Sequence, residues 1–136
     1  MKVRPILIAV FATPAIVAST FAAADRGGEI VKPNFEQAVP NLPGKSLAAV
    51  EVEYPPGAAS APHVHAKSAF IYAYVVSGAI ESKVNELRVY HAGESWSEPP
   101  GAIHTISRNA SNTEPAKLLA VFIVDSDDNT LTTPIR

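Results

Sequence analysis

The pattern of apolar and polar residues from position 46 onward predicts short β-strands separated by turns. Several segments alternate between apolar and polar side chains or are rich in aromatic and β-branched residues, as strands are. The segment LLAVFIV is apolar enough to predict a strand that is buried on both faces. Asn85-Glu86 is a predicted hairpin turn. The predicted strands are residues 47–54, 70–76, 79–84, 87–90, 103–107 and 118–124.

Turn signals between these segments predict an all-β domain. Strong turns are expected at Pro55-Pro56-Gly57 and at residues 98–101 (EPPG), because proline cannot donate to a β-ladder and glycine opens a turn. No segment after the N-terminal region has a helical period. We expect one barrel or sandwich at residues 46–126. It follows an irregular arm at residues 25–45, which could form a short edge strand, and it precedes a polar surface tail at residues 127–136.

The N-terminal region has the pattern of a secretory signal peptide. Lys2 and Arg4 precede an uncharged run at residues 6–24, whose apolar centre of about a dozen residues has the length of a signal-peptide core. Ala-x-Ala at 22–24 provides a cleavage site, so residues 1–24 are predicted to be removed and the protein exported to the periplasm or secreted. The alternative is an uncleaved membrane anchor. Proline, hydroxyl residues and alanines make this run a poor span, so no membrane span is expected after cleavage.

Composition excludes several classes of function. Removing residues 1–24 takes away two of the 11 basic residues, and the remaining 9 against 13 acidic residues give a formal charge of −4. No basic cluster occurs, so nucleic acid is not an expected partner. The sequence contains no cysteine, which excludes a disulfide scaffold, a thiolate-bound zinc site and a thiol nucleophile.

Histidines are the residues with metal-binding chemistry in this sequence. His63 and His65 in PHVHAKSAFIY are two positions apart, so both imidazoles point to one face of an extended strand. Neutral imidazole is a common ligand of zinc, iron, copper and nickel. His91 and His104 are the remaining candidates for a third ligand. His91 precedes a glycine turn and is expected to face solvent, whereas His104 begins an apolar strand. By itself, such a pair is more often structural than metal-binding.

Glycines and prolines stand at fixed distances from these histidines. Gly57 is separated from His63-x-His65 by five residues, and Gly78 follows the segment AYVVS. A second spaced group is GESWSEPPGAIH at residues 93–104, which ends on the candidate third histidine. Two spaced motifs in one short chain form a specific signal.

Together, the two motifs resemble those of the cupin superfamily. Asn109 departs slightly from the second motif, because it comes one residue late. The resemblance covers residues 47–124 and implies a cupin-type double-stranded β-helix, which is a jelly-roll barrel. It also implies a metal site whose ligands are His63, His65 and His104.

One residue of the family's first motif is missing. That motif carries a glutamate, whose position falls on Ile71 when counted back from Gly78, and on Ser68, Ala69 or Phe70 when counted forward from His65. The implied site is therefore one divalent metal ion (Fe, Mn, Ni, Cu or Zn) with three histidine ligands, no glutamate and an open position. Three-histidine cupins include dioxygenases acting on diketones, thiols or aromatic acids, so the resemblance implies a dioxygenase-type oxidoreductase.

Strand parity predicts the ligand pocket. Ile71, Ala73 and Val75 share one strand face, and if they face inward the pocket suits a small, mostly apolar ligand or substrate. Trp96 is a further candidate for this pocket. Glu98 is the carboxylate nearest to the second motif, and it is a candidate to orient an imidazole or to act as an acid or base. The usual exposure of glutamate favours a solvated turn residue instead.

Other interpretations of the same residues stay open. The barrel is alternatively a non-catalytic module that binds a small molecule, with a purely structural or vestigial metal site in which the histidines only pack or form hydrogen bonds. Fold alone does not decide, because one barrel hosts many functions. A homodimer is also expected, with the arm at residues 31–39 as an added strand, because exposed sheet edges commonly pair.

We predict that export removes residues 1–24 and leaves Asp25 as the N-terminus, because the small residues before it match a signal-peptidase site. Intact-mass spectrometry of protein recovered from the periplasm or medium measures this directly. A chain that keeps Met1 and sediments with membranes would support the uncleaved anchor.

Overall fold

Alternation of apolar side chains builds the sheets of this protein. The computed structural model describes residues 28–136, and within this range all helices are absent and every regular element is a β-strand. No helix there is long and apolar enough to cross a membrane. The strands are β1 Ile30–Ala38, β2 Lys45–Tyr54, β3 His63–His65, β4 Phe70–Ser77, β5 Ala79–Lys83, β6 Leu87–His91, β7 Ser95–Glu98, β8 Ile103–His104, β9 Ile106–Asn109, β10 Ala116–Asp125 and β11 Thr132–Pro134.

The strands of the described chain form three antiparallel sheets. The largest has the strand order β1-β2-β10-β4-β7, and the two smaller sheets have the orders β11-β3-β8 and β6-β5-β9. Strands that are distant in sequence, such as β2 and β10, lie side by side in an uninterrupted register from Ser46↔Val124 to Tyr54↔Ala116. Long-range pairing of this kind gives the predicted all-β architecture.

The inner face of the largest sheet carries most of the core. Every second residue of β2, β4 and β10 is buried, because successive side chains of a strand point to opposite faces. The expectation that β10 is buried on both faces is wrong: its outward residues are half-buried, and Ile123 is exposed. The inward residues of these three strands in the core cluster are Ala48, Val50, Val52, Tyr54, Ile71, Ala73, Val75, Ala116, Leu118, Ala120, Phe122 and Val124.

The sequence located most strands but missed some. The predicted hairpin is confirmed, since β5 and β6 pair up to Lys83↔Leu87 around the turn. The segment predicted as one strand at residues 103–107 is two strands, β8 and β9, which belong to different sheets. Strands β7 and β11 were not predicted, because short polar segments carry little apolar alternation. The tail is more than a surface segment: Leu131 is buried, and β11 pairs with β3.

The N-terminal arm is an edge strand, as the sequence predicts. β1 pairs with β2 along its length, with one irregularity between Pro33 and Phe35. It is a terminal strand of the largest sheet. The predicted homodimer, which would use this edge, stays a prediction. The predicted signal peptide at residues 1–24 lies outside the described residues.

Asn109, the late asparagine of the second motif, joins two loops to the barrel. Its buried side-chain amide donates to the carbonyl oxygens of Tyr54, Pro55 and Glu114, at 2.7 to 3.2 Å. Its Oδ1 accepts the backbone N–H of Ser111. One side chain therefore satisfies polar groups of the backbone after β2 and before β10, a structural role rather than a chemical one.

We predict that Gly78→Ala strongly destabilises the protein. Gly78 has φ of +72°, and a Cβ there would lie 2.5 Å from the Pro115 carbonyl oxygen and 2.9 Å from the Ala116 Cα. The free energy of unfolding in urea should fall by about 2–4 kcal/mol, from left-handed strain of roughly 1–2 kcal/mol plus the overlap.

Gly93→Ala is the matched control for this prediction. Gly93 also has positive φ, at +89°, but a Cβ there meets no atom within 4 Å. It should lose only the strain component, about 1–2 kcal/mol. Equal losses in the two variants would contradict the role assigned to the close contact with Pro115.

Candidate functional site

Two short strands bring three histidines together. His63 and His65 lie on β3 and point to the same face, and His104 on β8 is the direct register partner of His63. The three side chains are 4–9% exposed. One ligand nitrogen from each lies within 4.8 Å of the others, so the three histidines could hold a metal ion. His91 is exposed at the end of β6, as expected.

Hydrogen bonds define how two of these rings are presented. His63 Nδ1 lies 2.8 Å from the Ala61 carbonyl oxygen, which can only accept, so Nδ1 carries the proton and Nε2 keeps a lone pair. His104 Nε2 lies 2.9 Å from the buried Ser82 hydroxyl on β5. A hydrogen bond on one ring nitrogen orients the other nitrogen, which is typical of metal-binding histidines.

Glu98 lies inside the site. The expectation of a solvated turn residue is wrong: Glu98 is 2% exposed, because β7 continues to this residue before the proline turn and pairs it with buried Ile71. Its Oε1 accepts the Trp96 Nε1–H at 2.9 Å and lies 3.5 Å from His104 Nδ1. Its Oε2 lies 2.9 Å from His65 Nε2.

Burial sets the charge state of these groups. Loss of water lowers the pKa of His104 to about 4, and the nearby Glu98 carboxylate opposes this shift only partly. Burial also lowers the pKa of His63, against the hydrogen bond to Ala61. Burial alone would raise the pKa of Glu98, but the contacts with His65 and with the Trp96 N–H outweigh it, and the net pKa is lowered. At neutral pH the ionised Glu98 carboxylate therefore faces a neutral His104 imidazole.

The polar atoms of this cluster fit a divalent cation. Three buried atoms have no hydrogen bond within the described chain: Nδ1 and Nε2 of His65, and Oε2 of Glu98. A buried polar atom without a partner is costly, and a native protein rarely leaves several in one place. Neutral imidazole together with carboxylate is a donor set for zinc, iron, copper, nickel or manganese.

The histidines and Glu98 open onto a cavity of about 230 Å³. This volume is below the range of about 300–1,000 Å³ typical of pockets for drug-sized ligands. Of the residues predicted for the pocket, Ile71 and Ala73 line this cavity. Val75 faces the same interior but packs in the core cluster, and Trp96 stacks on Tyr90, with ring centroids 4.4 Å apart.

The cavity also has polar groups that the sequence did not point to. Glu29 is 3% exposed and lines the cavity, as do Tyr54, Ser60 and Ser107. The Tyr54 hydroxyl lies 2.8 Å from Ser60 Oγ and 2.9 Å from Ser107 Oγ. The inward parity of β2 could have indicated Tyr54. Glu29 carried no signal, because it precedes the first strand in an irregular segment.

Comparisons with known proteins agree with this architecture. A family model described as "Cupin domain" (Cupin_2) matches residues 50–122. Germin-like protein subfamily 2 member 2 from Arabidopsis thaliana is 28% identical over 115 residues, which cover 80% of this chain and 48% of that protein. The chain thus spans about half the length of this curated relative.

Solved structures confirm the jelly-roll fold expected from the sequence. A protein with a double-stranded β-helix domain from Klebsiella pneumoniae has a TM-score of 0.61 and 21% identity, over 83% of this chain and 91% of that chain. An oxalate oxidase, in complex with the substrate analogue glycolate, has a TM-score of 0.52 and 25% identity, over 84% of this chain and 59% of that chain.

We predict that acid destabilises the metal-free protein between about pH 6.5 and pH 4. Over this window His104 binds a proton in the unfolded protein but not in the folded protein. The free energy of unfolding is therefore highest above pH 6.5 and falls as the pH is lowered to about 4. The loss should reach about 3 kcal/mol for this residue. Glu98 adds loss of the same sign at lower pH, because its folded pKa is lowered. Urea titrations at several pH values, after chelator treatment, measure the slope.

Two histidine variants isolate the contribution of His104. His104→Asn should reduce the slope between pH 6.5 and pH 4 and leave the smaller part due to His63, whereas His91→Asn, at an exposed position, should keep the full slope. If His104→Asn keeps the wild-type slope, burial of His104 does not cause the acid sensitivity.

Proposed function

This chain belongs to the cupin domain family, and we propose that it is an exported, metal-dependent oxidoreductase of the dioxygenase type that acts on a small, mostly apolar molecule. One observation carries this proposal. Ligand nitrogens of His63, His65 and His104 converge within 4.8 Å at the wall of a cavity of about 230 Å³, most of whose lining is apolar. Similarity to an oxalate oxidase supports oxidoreductase chemistry.

The three histidines hold the ion, and the rest of the cavity holds the substrate. When bound, a divalent metal supplies a Lewis-acidic centre with an open coordination position. His63 presents Nε2, because its Nδ1–H is held by the Ala61 carbonyl. Burial keeps His104 unprotonated at neutral pH, so its nitrogen lone pair is available to a metal.

The charge of the cavity indicates which substrates it excludes. The residues that line it include two buried carboxylates, Glu29 and Glu98, but neither lysine nor arginine. A small dianion such as oxalate would have the metal ion as its one cationic partner and would face both carboxylates, and burying charge that is incompletely paired is costly. The lining of Ile71, Leu118 and Phe122 suits a neutral or weakly polar molecule instead.

We predict about one equivalent of metal per chain, and oxygen uptake that depends on it. Elemental mass spectrometry of protein purified without air or chelator measures the metal. An oxygen electrode then compares neutral diketones, thiols and aromatic compounds with oxalate. Loaded protein should consume oxygen with a neutral substrate and should leave oxalate unused, because Glu29 and Glu98 repel a dianion and no lysine or arginine lines the cavity.

Histidine variants separate specific from adventitious metal. His104→Ala should lose the metal and the oxygen uptake, whereas His91→Ala should keep both. Full metal content in His104→Ala would contradict the site. Metal binding without turnover of any substrate in the panel would favour the non-catalytic binding module.

A further inference from the structure

Glu98 is a buried carboxylate with one oxygen already held and the other without a hydrogen bond. Trp96 Nε1–H donates to Oε1 at 2.9 Å, which ties that oxygen to a residue of the same strand. Oε2 is buried and has no hydrogen-bond partner in the described chain. An ionised carboxylate that loses its water and keeps an open oxygen is strongly disfavoured unless a cation meets it.

The nitrogen nearest to Oε2, His65 Nε2, is also buried without a hydrogen bond in the described chain. His65 Nε2 lies 2.9 Å from Oε2, yet neither atom forms a hydrogen bond, so the two atoms are close but not aligned for proton sharing. Two donor atoms that each lie about 2.1 Å from one metal ion, at right angles, are about 3.0 Å apart. The observed separation is that of two adjacent ligands of one ion.

We propose that Glu98 is a fourth protein ligand of the metal and binds through Oε2 alone. Trp96 is then a positioning residue, because its indole N–H holds Oε1 and turns Oε2 towards the histidines. This inference rests on the proposed metal site and adds a negatively charged donor to it. The site would carry three neutral imidazoles and one carboxylate, and an ion that accepts more than four ligands would keep an open position.

Strand register explains how a residue so far along the chain supplies this ligand. Glu98 on β7 is the direct partner of Ile71 on β4. Directly paired residues of an antiparallel sheet point to the same face, one strand spacing of about 4.8 Å apart. Ile71 is one of the positions on which the missing glutamate of the first motif falls. The structure presents a carboxylate to the same interior from the adjoining strand.

The first test compares Glu98→Gln with Glu86→Gln. In Glu98→Gln the new amide oxygen can still accept from Trp96, while the negative charge is lost; Glu86 is an exposed turn residue. Competition with a chelator measures the Co²⁺ affinity. Glu98→Gln should weaken the Co²⁺ affinity by a larger factor than the loss of about 10–100-fold that is typical of residues that only orient a ligand. Glu86→Gln should match wild type.

Infrared difference spectra test coordination directly. Adding Co²⁺ to the metal-free wild-type protein should shift a carboxylate stretching band, because binding to a metal makes the two C–O bonds unequal. The shift should be absent in Glu98→Gln and present in Glu86→Gln. This readout does not depend on catalysis, and a carboxylate that merely orients histidine would keep its two C–O bonds nearly equal and give only a small shift.

A relocation variant tests the register argument. Ile71→Glu combined with Glu98→Leu moves the carboxylate to the paired position and should recover most of the Co²⁺ affinity lost in Glu98→Leu alone. Its folding is checked by circular dichroism. Failure of wild-type protein to bind metal would overturn the proposed function. Wild-type binding without a carboxylate shift, or with unchanged affinity in Glu98→Gln, would overturn this inference alone.

Discussion

Burial of three imidazoles and one carboxylate beside an apolar cavity is the constraint on which the rest of the site depends. Removing these groups from water keeps His104 neutral at ordinary pH, while the contacts with the histidines keep Glu98 ionised. The result is a pocket with nitrogen lone pairs, one negative charge and unpartnered polar atoms. A divalent cation satisfies all three conditions at once, which is why the cluster is better explained as a metal site than as packing.

The barrel supplies the geometry that this cluster needs. Inward parity along β2, β4 and β10 gives the cavity its apolar wall, while the short strands β3 and β8 bring their histidines together in direct register. The turn at Pro99-Pro100-Gly101 separates Glu98 from His104, so consecutive strands contribute these two side chains. The tail adds a further strand beside β3, with Leu131 buried behind it. Rigid strands rather than mobile loops thus carry the donors, which favours a defined coordination geometry.

The sequence predicted the all-β fold and the grouping of His63, His65 and His104 in one site, because strand alternation and motif spacing are local properties of the chain. It did not predict the position of Glu98, since a glutamate beside two prolines has the local signature of an exposed turn. Only the pairing of β7 with β4, which joins residues distant in sequence, turns that side chain inward. For the same reason Glu29 and the hydroxyls around Tyr54 were missed, and the outer face of β10 was expected to be buried. Local pattern does not report which elements cover a given face.

Anomalous X-ray diffraction from metal-loaded crystals, recorded on both sides of the absorption edge of the metal, tests the central claim most directly. The account predicts a single strong anomalous peak per chain within bonding distance of nitrogen atoms of His63, His65 and His104. A peak elsewhere would contradict it, as would a well-ordered barrel without a peak, in which the three histidines contact only one another and water.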